Sequence, residues 1–275
     1  MSYLNAILLG LVQGITEFFP VSSSGHLTLL QTIFHIEEAD LFFDVLLHLG
    51  TLFALIAVYR REVAAVVRGG LGLVGVGPDR GRITRENAER RRMAFFLLVG
   101  TIPILLAIPL RPVAEMISGR PALVSLMLMV TGCILYLSDR FSHGTQGLRE
   151  VSAWKTALVG VSQAVSVIPG ISRSGATIST GMLLGFRRSF ALHYSFLLSI
   201  SAVLGAAAVS FAGALETGIR TDLIPKYLCG MAAAAVSGYF SIRLLRYLTA
   251  RGDFGVFAYY CWGAGLVSLV LSLVA

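Results

Sequence analysis

Charge is what this sequence is short of. Asp, Glu, Lys and Arg make up only 13% of its 275 residues, against 56% hydrophobic residues, whereas soluble domains carry about 25% charged residues. Strict apolar/polar alternation is also missing, which argues against the strands of a membrane barrel. Cysteine is limited to Cys133, Cys229 and Cys261. Each lies in an apolar run without metal-ligand spacing, so they read as packing residues and give no disulfide framework. The N-terminus has no basic n-region and no small-residue cleavage site, so it is expected to be retained rather than removed as a signal peptide. The glycine-rich stretch 69–81 lacks the GKS or GKT ending of a phosphate loop and reads as a cytoplasmic connector.

What the sequence has in quantity is apolar length. Runs at 41–59, 93–110, 122–138, 191–211, 227–242 with its flanks, and 254–275 each suffice for a membrane helix, which takes about 20 residues. The net charge of +7 could serve nucleic acid, but its distribution favours a simpler reading. Nine Lys/Arg fall within 60–92, and Arg187, Arg188, Arg243, Arg246 and Arg251 form two smaller clusters. Basic loops of this kind are held on the cytoplasmic side.

The chain also repeats itself. Residues 10–26 read GLVQGITEFFPVSSSGH and residues 160–176 read GVSQAVSVIPGISRSGA. At an offset of 150, Gly10/Gly160, Gln13/Gln163, Ser22/Ser172, Ser24/Ser174 and Gly25/Gly175 coincide. Each copy is a short apolar segment, a proline, a Ser-rich patch and a second apolar segment. Irregular backbone at membrane depth is tolerated only where protein or a water-filled cavity covers it, so each copy is expected to form a re-entrant helical hairpin.

Placing 60–92 in the cytoplasm puts seventeen of the 22 basic residues there and leaves the outer loop 36–40 without Lys or Arg. The expected fold is therefore all-α: one polytopic membrane domain over 1–275, with repeat 1 about 1–138, repeat 2 about 153–275 and a cytoplasmic basic loop at 60–92. Each half holds one hairpin and three transmembrane helices, so the halves must be inverted and the hairpin tips can meet near the midplane. Inverted repeats on broken helices are also a transporter design, which makes a transporter or lipid flippase the rival to an enzyme.

The residues that carry chemistry sit in the two hairpins. Glu17 is a carboxylate inside an apolar segment, and intramembrane ionisable residues are costly and functional by default. Ser22, Ser23, Ser24, Gly25 and His26 follow within nine residues, offering a nucleophile, a base and a hydroxyl cradle together. In the second copy Arg173 is a guanidinium at membrane depth and needs an anionic partner. Glu17 is one candidate and a phosphate, which its planar fork fits, is another. Gly170 and Gly175 allow close backbone approach, and Ser172, Ser174 and Thr177 add hydroxyl donors. Each Ser-rich patch begins a helix whose free N–H groups form an anion site. Two such ends plus Arg173 suit a pyrophosphate.

In the expected mechanism Ser23 or a water attacks the terminal phosphorus, and Glu17 or His26 takes the proton. A divalent cation, Mg or Ca, could bridge Glu17 and the pyrophosphate. Gln13, Asp44 and His48 are supporting candidates; Asp44 and His48 are four apart and share a helix face. His193, in the matching region of the second half, reads as structural. Arg111, Glu115 and Arg120 are expected in a solvated outer loop.

At these residues the sequence resembles a known family. QGITE, PVSSSGH and PGISRSGAT are similar to the signature regions of bacterial undecaprenyl-diphosphate phosphatases of the bacitracin-resistance type, and the resemblance extends along the whole chain through FFDVLLHLGT and HYSFLLSISAV. The family's first motif is Glu or Gln, three residues, then Glu; Gln13 and Glu17 fill it here, leaving one carboxylate rather than two for any metal. The resemblance implies hydrolysis of undecaprenyl diphosphate to the monophosphate, recycling the carrier lipid for peptidoglycan synthesis, near the periplasmic side of the inner membrane. Its important residues match Glu17, Ser23, His26, Ser172, Arg173 and Thr177. The expected partners are the lipid substrate and membrane lipids, with a homodimer left open because the sequence does not give the oligomeric state; nucleic acid is not among them.

Overall fold

Proline and serine set the boundaries of the first elements. A computed structural model describes residues 1–34, 36, 41–76, 84–217, 220–251 and 254–274. The acidic turn Glu37, Glu38, Ala39 and Asp40 and the last part of the glycine-rich stretch, with Arg80 and Arg82, lie outside the described residues, as does the side chain of Arg251.

Helix α1 (Tyr3–Phe18) is capped by Ser2, whose Oγ accepts from Asn5 N at 3.1 Å, and it stops ahead of Pro20, which disfavours helical backbone in the residue before it. Helix α2 (Ser23–Ile33) starts at the Ser-rich patch with Ser22 as N-cap. Helices α3 (Leu41–Val58) and α4 (Arg60–Leu73) meet at 89°. Then come α5 (Arg85–Thr101), a 3₁₀ turn (Ile102–Leu106), α6 (Ala107–Ser118) and α7 (Pro121–Phe141). The second hairpin is α8 (Ala153–Val165) and α9 (Arg173–Leu183), followed by α10 (Arg188–Thr217), α11 (Ile224–Arg251) and α12 (Val256–Val274).

The described residues form helices and no strands, and five helical segments are long and apolar enough to cross a membrane, or six with the bent α3–α4 pair. Leu98, Leu204, Val236 and Val270 are among many large apolar side chains left exposed; in water such a surface would aggregate, whereas lipid solvates it. The chain is thus a multi-pass membrane protein.

Two expectations need correction. The stretch 60–92 is not a loop: it contains α4 and the first two turns of α5. Gly69, taken as connector, lies in α4, where an added Cβ would come within 2.2 Å of Arg90 O, so the glycine lets α4 pack across α5. Arg111 and Glu115 likewise sit on a helix, α6, and pair at 3.9 Å; the break that frees α6 is the 3₁₀ turn at Pro103, whose missing N–H interrupts the α5 ladder.

Glycines also fix the hairpins. A Cβ on Gly10 would lie 2.2 Å from Gly230 O, so α1 lies against α11; a Cβ on Gly160 would lie 2.1 Å from Gly100 O, so α8 lies against α5. Each hairpin therefore packs its first helix on a long helix of the other half, the close approach that small residues permit in membranes. Hydroxyls inside the spans bond back to their own helix, as in Ser125 to Pro121 O at 2.9 Å and Ser237 to Ala233 O at 2.7 Å.

The basic residues gather at one end. Arg246 lies over the Tyr59 ring at 5.4 Å, Arg149 pairs with Glu89, Arg92 donates to Val151 O at 2.8 Å, and Arg188 pairs with Asp139, whose Oδ2 accepts from Gly255 N at 3.1 Å. These contacts join the end of α3 to that of α11, the beginning of α5 to that of α8, and the end of α7 to the beginnings of α10 and α12.

Candidate active site

The two hairpin tips interlock. Ser174 Oγ donates to Phe19 O at 3.1 Å, and a Cβ on Gly25 would lie 3.1 Å from Gly170 Cα. Gly170 has φ 93°, in the left-handed region where glycine is favoured; Thr131 holds that turn, donating to Gly170 O at 2.8 Å and accepting from Ser172 N at 3.0 Å. Ser22 and Ser172 cap α2 and α9, accepting from Gly25 N at 3.3 Å and Gly175 N at 3.1 Å. Ser22 has φ 67° without being a glycine, a strained conformation of the kind that collects at functional sites.

Glu17 joins the two copies. It is 6% exposed. Its Oε2 accepts from Ser23 Oγ at 2.6 Å and from Gln13 Nε2 at 3.0 Å, with His48 Nε2 at 4.0 Å, while Oε1 pairs with Arg173 Nη2. Arg173 Nη1 donates to Ser199 O at 3.3 Å. At the helical rise of 1.5 Å per residue, Ser199 is about 16 Å along α10 from the basic end at Arg188. That is about half of a 30 Å hydrocarbon core.

A cavity of about 580 Å³ opens beside this cluster, lined by Glu17, Ser22, Ser23, Ser24, His48, Ser172 and Arg173. Its outer walls are apolar, with Leu105, Ile108, Val203 and Val209 among them, and Arg111 lines them too. A serine hydroxyl, a carboxylate that accepts its hydrogen bond, a guanidinium and two helix N-termini thus face one polar floor below a greasy mouth. Such a site can bind a phosphorylated lipid head-first and displace phosphate.

Other expected site residues fall elsewhere. His26 does not line the cavity; one turn along α2, its Nδ1 bonds Ser22 O at 2.8 Å and its Nε2 bonds Tyr260 OH at 2.8 Å. Thr177 bonds Arg173 O at 2.8 Å and Ser195 Oγ at 2.6 Å, behind the wall. Ser174, Gly25 and Gly175 build the interlocked tips. His48 faces Glu17, and its Nδ1 bonds the backbone O of Asp44 at 2.8 Å, so the pair meets through the main chain. His193 packs against the Tyr59 ring at 5.5 Å with the rings tilted by 56°, and does not line the cavity. Gln163, Ser166 and Arg111 line the cavity although the sequence did not single them out; the match of Gln163 to Gln13 in the repeat was the available signal. Among the described residues no group of three His, Cys, Asp or Glu is placed to hold a metal, and Glu17 brings a single carboxylate already bonded to Arg173, Ser23 and Gln13.

Comparison with known proteins decides the family. The family model described as "Bacitracin resistance protein BacA" matches residues 6–267. The chain belongs to this family. It is 37% identical to the undecaprenyl-diphosphatase of Methanosphaera stadtmanae, covering 100% of this chain and 99% of the relative. It is 36% identical to that of Halothermothrix orenii, covering 99% of each, and 39% identical to that of Desulfosudis oleivorans, covering 99% of this chain and 100% of the relative. The BacA match spans both hairpins, so every residue of the polar floor lies inside it.

Proposed function

We propose that this BacA-family protein hydrolyses undecaprenyl diphosphate to undecaprenyl phosphate and inorganic phosphate, recycling the carrier lipid for peptidoglycan synthesis and conferring bacitracin resistance. The observation that carries the reading is the meeting of Glu17, Ser23 and Arg173, from different halves of the chain, on one cavity floor. Arg173 and the N-termini of α2 and α9 hold the diphosphate and stabilise charge on the transferring phosphoryl group. Ser23 Oγ gives its proton to Glu17 Oε2 and attacks the terminal phosphorus; the P–O bond to the bridging oxygen breaks and undecaprenyl phosphate leaves. Glu17 releases that proton to solvent; water then attacks the phosphoserine, its proton passing to Glu17, which returns it to the departing Ser23 Oγ as inorganic phosphate leaves. The apolar outer walls take the start of the prenyl chain.

A divalent cation, if bound, would be held by Glu17, the one carboxylate lining the cavity, since Mg²⁺ commonly uses one or two carboxylates plus phosphate oxygens; it would supply charge neutralisation for the diphosphate. The cavity is read as opening to the periplasmic side of the inner membrane. Val209 on its wall is about 30 Å along α10 from Arg188 at 1.5 Å per residue, and the basic end is the one held in the cytoplasm.

Purified protein in detergent should release phosphate from a prenyl diphosphate, and Arg173→Ala should abolish the release. A protein that binds or moves the lipid without releasing phosphate would instead be a flippase. Assay with and without a chelator tests the cation.

A further inference from the structure

Among the described residues, the repeat leaves the amide of Gln163 on the cavity without a hydrogen-bond partner. In the first copy Gln13 Nε2 donates to Glu17 Oε2 at 3.0 Å. At the offset of 150 the same glutamine recurs as Gln163, but Glu17 is replaced by Val167 and Ser23 by Arg173. Gln163 is 4% exposed, and both amide atoms are buried without a hydrogen-bond partner among the described residues. Gln163, Val167 and Arg173 all line the same cavity. A buried amide left unbonded in a native fold is costly and calls for an explanation. Here the first copy supplies one: the amide stands where a carboxylate oxygen would meet it, and the second copy lacks the carboxylate.

We propose that Gln163 is a substrate-binding residue whose amide donates to a phosphate oxygen of the diphosphate headgroup, which takes the place of the acid missing at Val167. Substrate thereby completes the second copy of the motif. The last side-chain torsion of glutamine is soft, so a turn of the amide presents Nε2 to the cavity. Arg173 neutralises the same anion, which is why a guanidinium stands where the first copy has Ser23. This assignment rests on the phosphatase reading above, since it needs a phosphorylated ligand in the cavity.

The test uses purified full-length protein in detergent with farnesyl diphosphate as probe, reading kcat, KM and thermal stability separately. Gln163→Leu keeps the volume and removes the amide. KM should rise about tenfold or more, the scale of a hydrogen bond to a charged group. The melting temperature should hold or rise, because an unbonded buried amide has gone. A folded Gln163→Leu protein with unchanged KM overturns the proposal, and so does a loss of stability with unchanged KM. Gln163→Glu, nearly isosteric, gives a second arm should the leucine variant not fold: its carboxylate should raise KM further by repulsion, and an unchanged KM again overturns the assignment. Wild-type protein that releases no phosphate defeats the phosphatase reading instead. The inference is then still decided by the thermal shift from a non-hydrolysable prenyl bisphosphonate, which should be smaller for Gln163→Leu than for wild type.

Discussion

Ser23 Oγ lies 2.6 Å from Glu17 Oε2, and the other oxygen of the same carboxylate is bonded to Arg173. In the proposed mechanism one side chain therefore receives the proton of Ser23 and stays anchored to the guanidinium that holds the phosphate. The serine comes from α2, the carboxylate from α1 and the guanidinium from α9, so the alignment exists only when both hairpins are in place.

In the proposed mechanism this relationship makes Glu17 a proton acceptor as well as an ion-pair partner. Glu17→Gln should lower kcat by about 10²–10⁴-fold, the range of general base catalysis, with a smaller change in KM. Brief exposure of wild type to labelled substrate followed by acid quench should leave label on Ser23, and Ser23→Ala should show neither label nor turnover. A Ser23→Ala protein that retains activity would shift the attack to a water held by Glu17.

His26 works from outside the cavity. Its two ring nitrogens join Ser22 O to Tyr260 OH, and Ser22 caps the helix that carries Ser23. We propose that it is a positioning residue for the strained turn. Tyr260→Phe should reproduce part of the loss caused by His26→Ala, and the double variant should be little worse than His26→Ala alone, because both act through one network. Additive losses in kcat/KM would instead give His26 an independent role at the substrate.

Much of this site was legible because the membrane makes charges conspicuous. Glu17 and Arg173 stand alone in apolar surroundings, each demands a partner, and they turned out to bind each other. The hairpins were legible from Pro20, Pro169 and the serines that follow them. Arg111 was not: four residues before Glu115, it reads as half of a solvated pair, and only the break at Pro103 swings α6 over the cavity. Helix α4 was hidden by its glycines, which mark a connector by composition but here permit close packing on α5. The exclusion of His26 from the cavity depends on α12 lying beside that turn of α2, a tertiary fact with no local signal.

The glycine crossings should be as sensitive as the site although they touch no substrate. A Cβ on Gly160 would meet Gly100 O at 2.1 Å and one on Gly10 would meet Gly230 O at 2.2 Å, whereas nothing lies within 4 Å of a Cβ on Gly263. Gly10→Ala and Gly160→Ala should each destabilise the protein by about 1–3 kcal/mol or more through overpacking, and Gly263→Ala should be neutral. Melting in detergent, followed by tryptophan fluorescence or by loss of activity, checks the ranking.

The Glu17–Arg173 pair should respond asymmetrically to losing either member. Both side chains are withdrawn from solvent, at 5% and 18% exposure, and breaking a buried pair from one side typically costs about 3–5 kcal/mol. Glu17→Ala leaves a guanidinium that cannot shed its charge, with the Ser199 carbonyl as its remaining hydrogen-bond acceptor among the described residues, so it should show that full cost. Arg173→Ala leaves a carboxylate that keeps Gln13 and Ser23 as donors and can take up a proton, so it should be milder and still yield folded, inactive protein. The double alanine variant removes both charges and should be more stable than Glu17→Ala alone. Melting temperatures of the three variants in one detergent test the order, and a double variant less stable than Glu17→Ala would mean that the two side chains support the fold separately rather than as a pair.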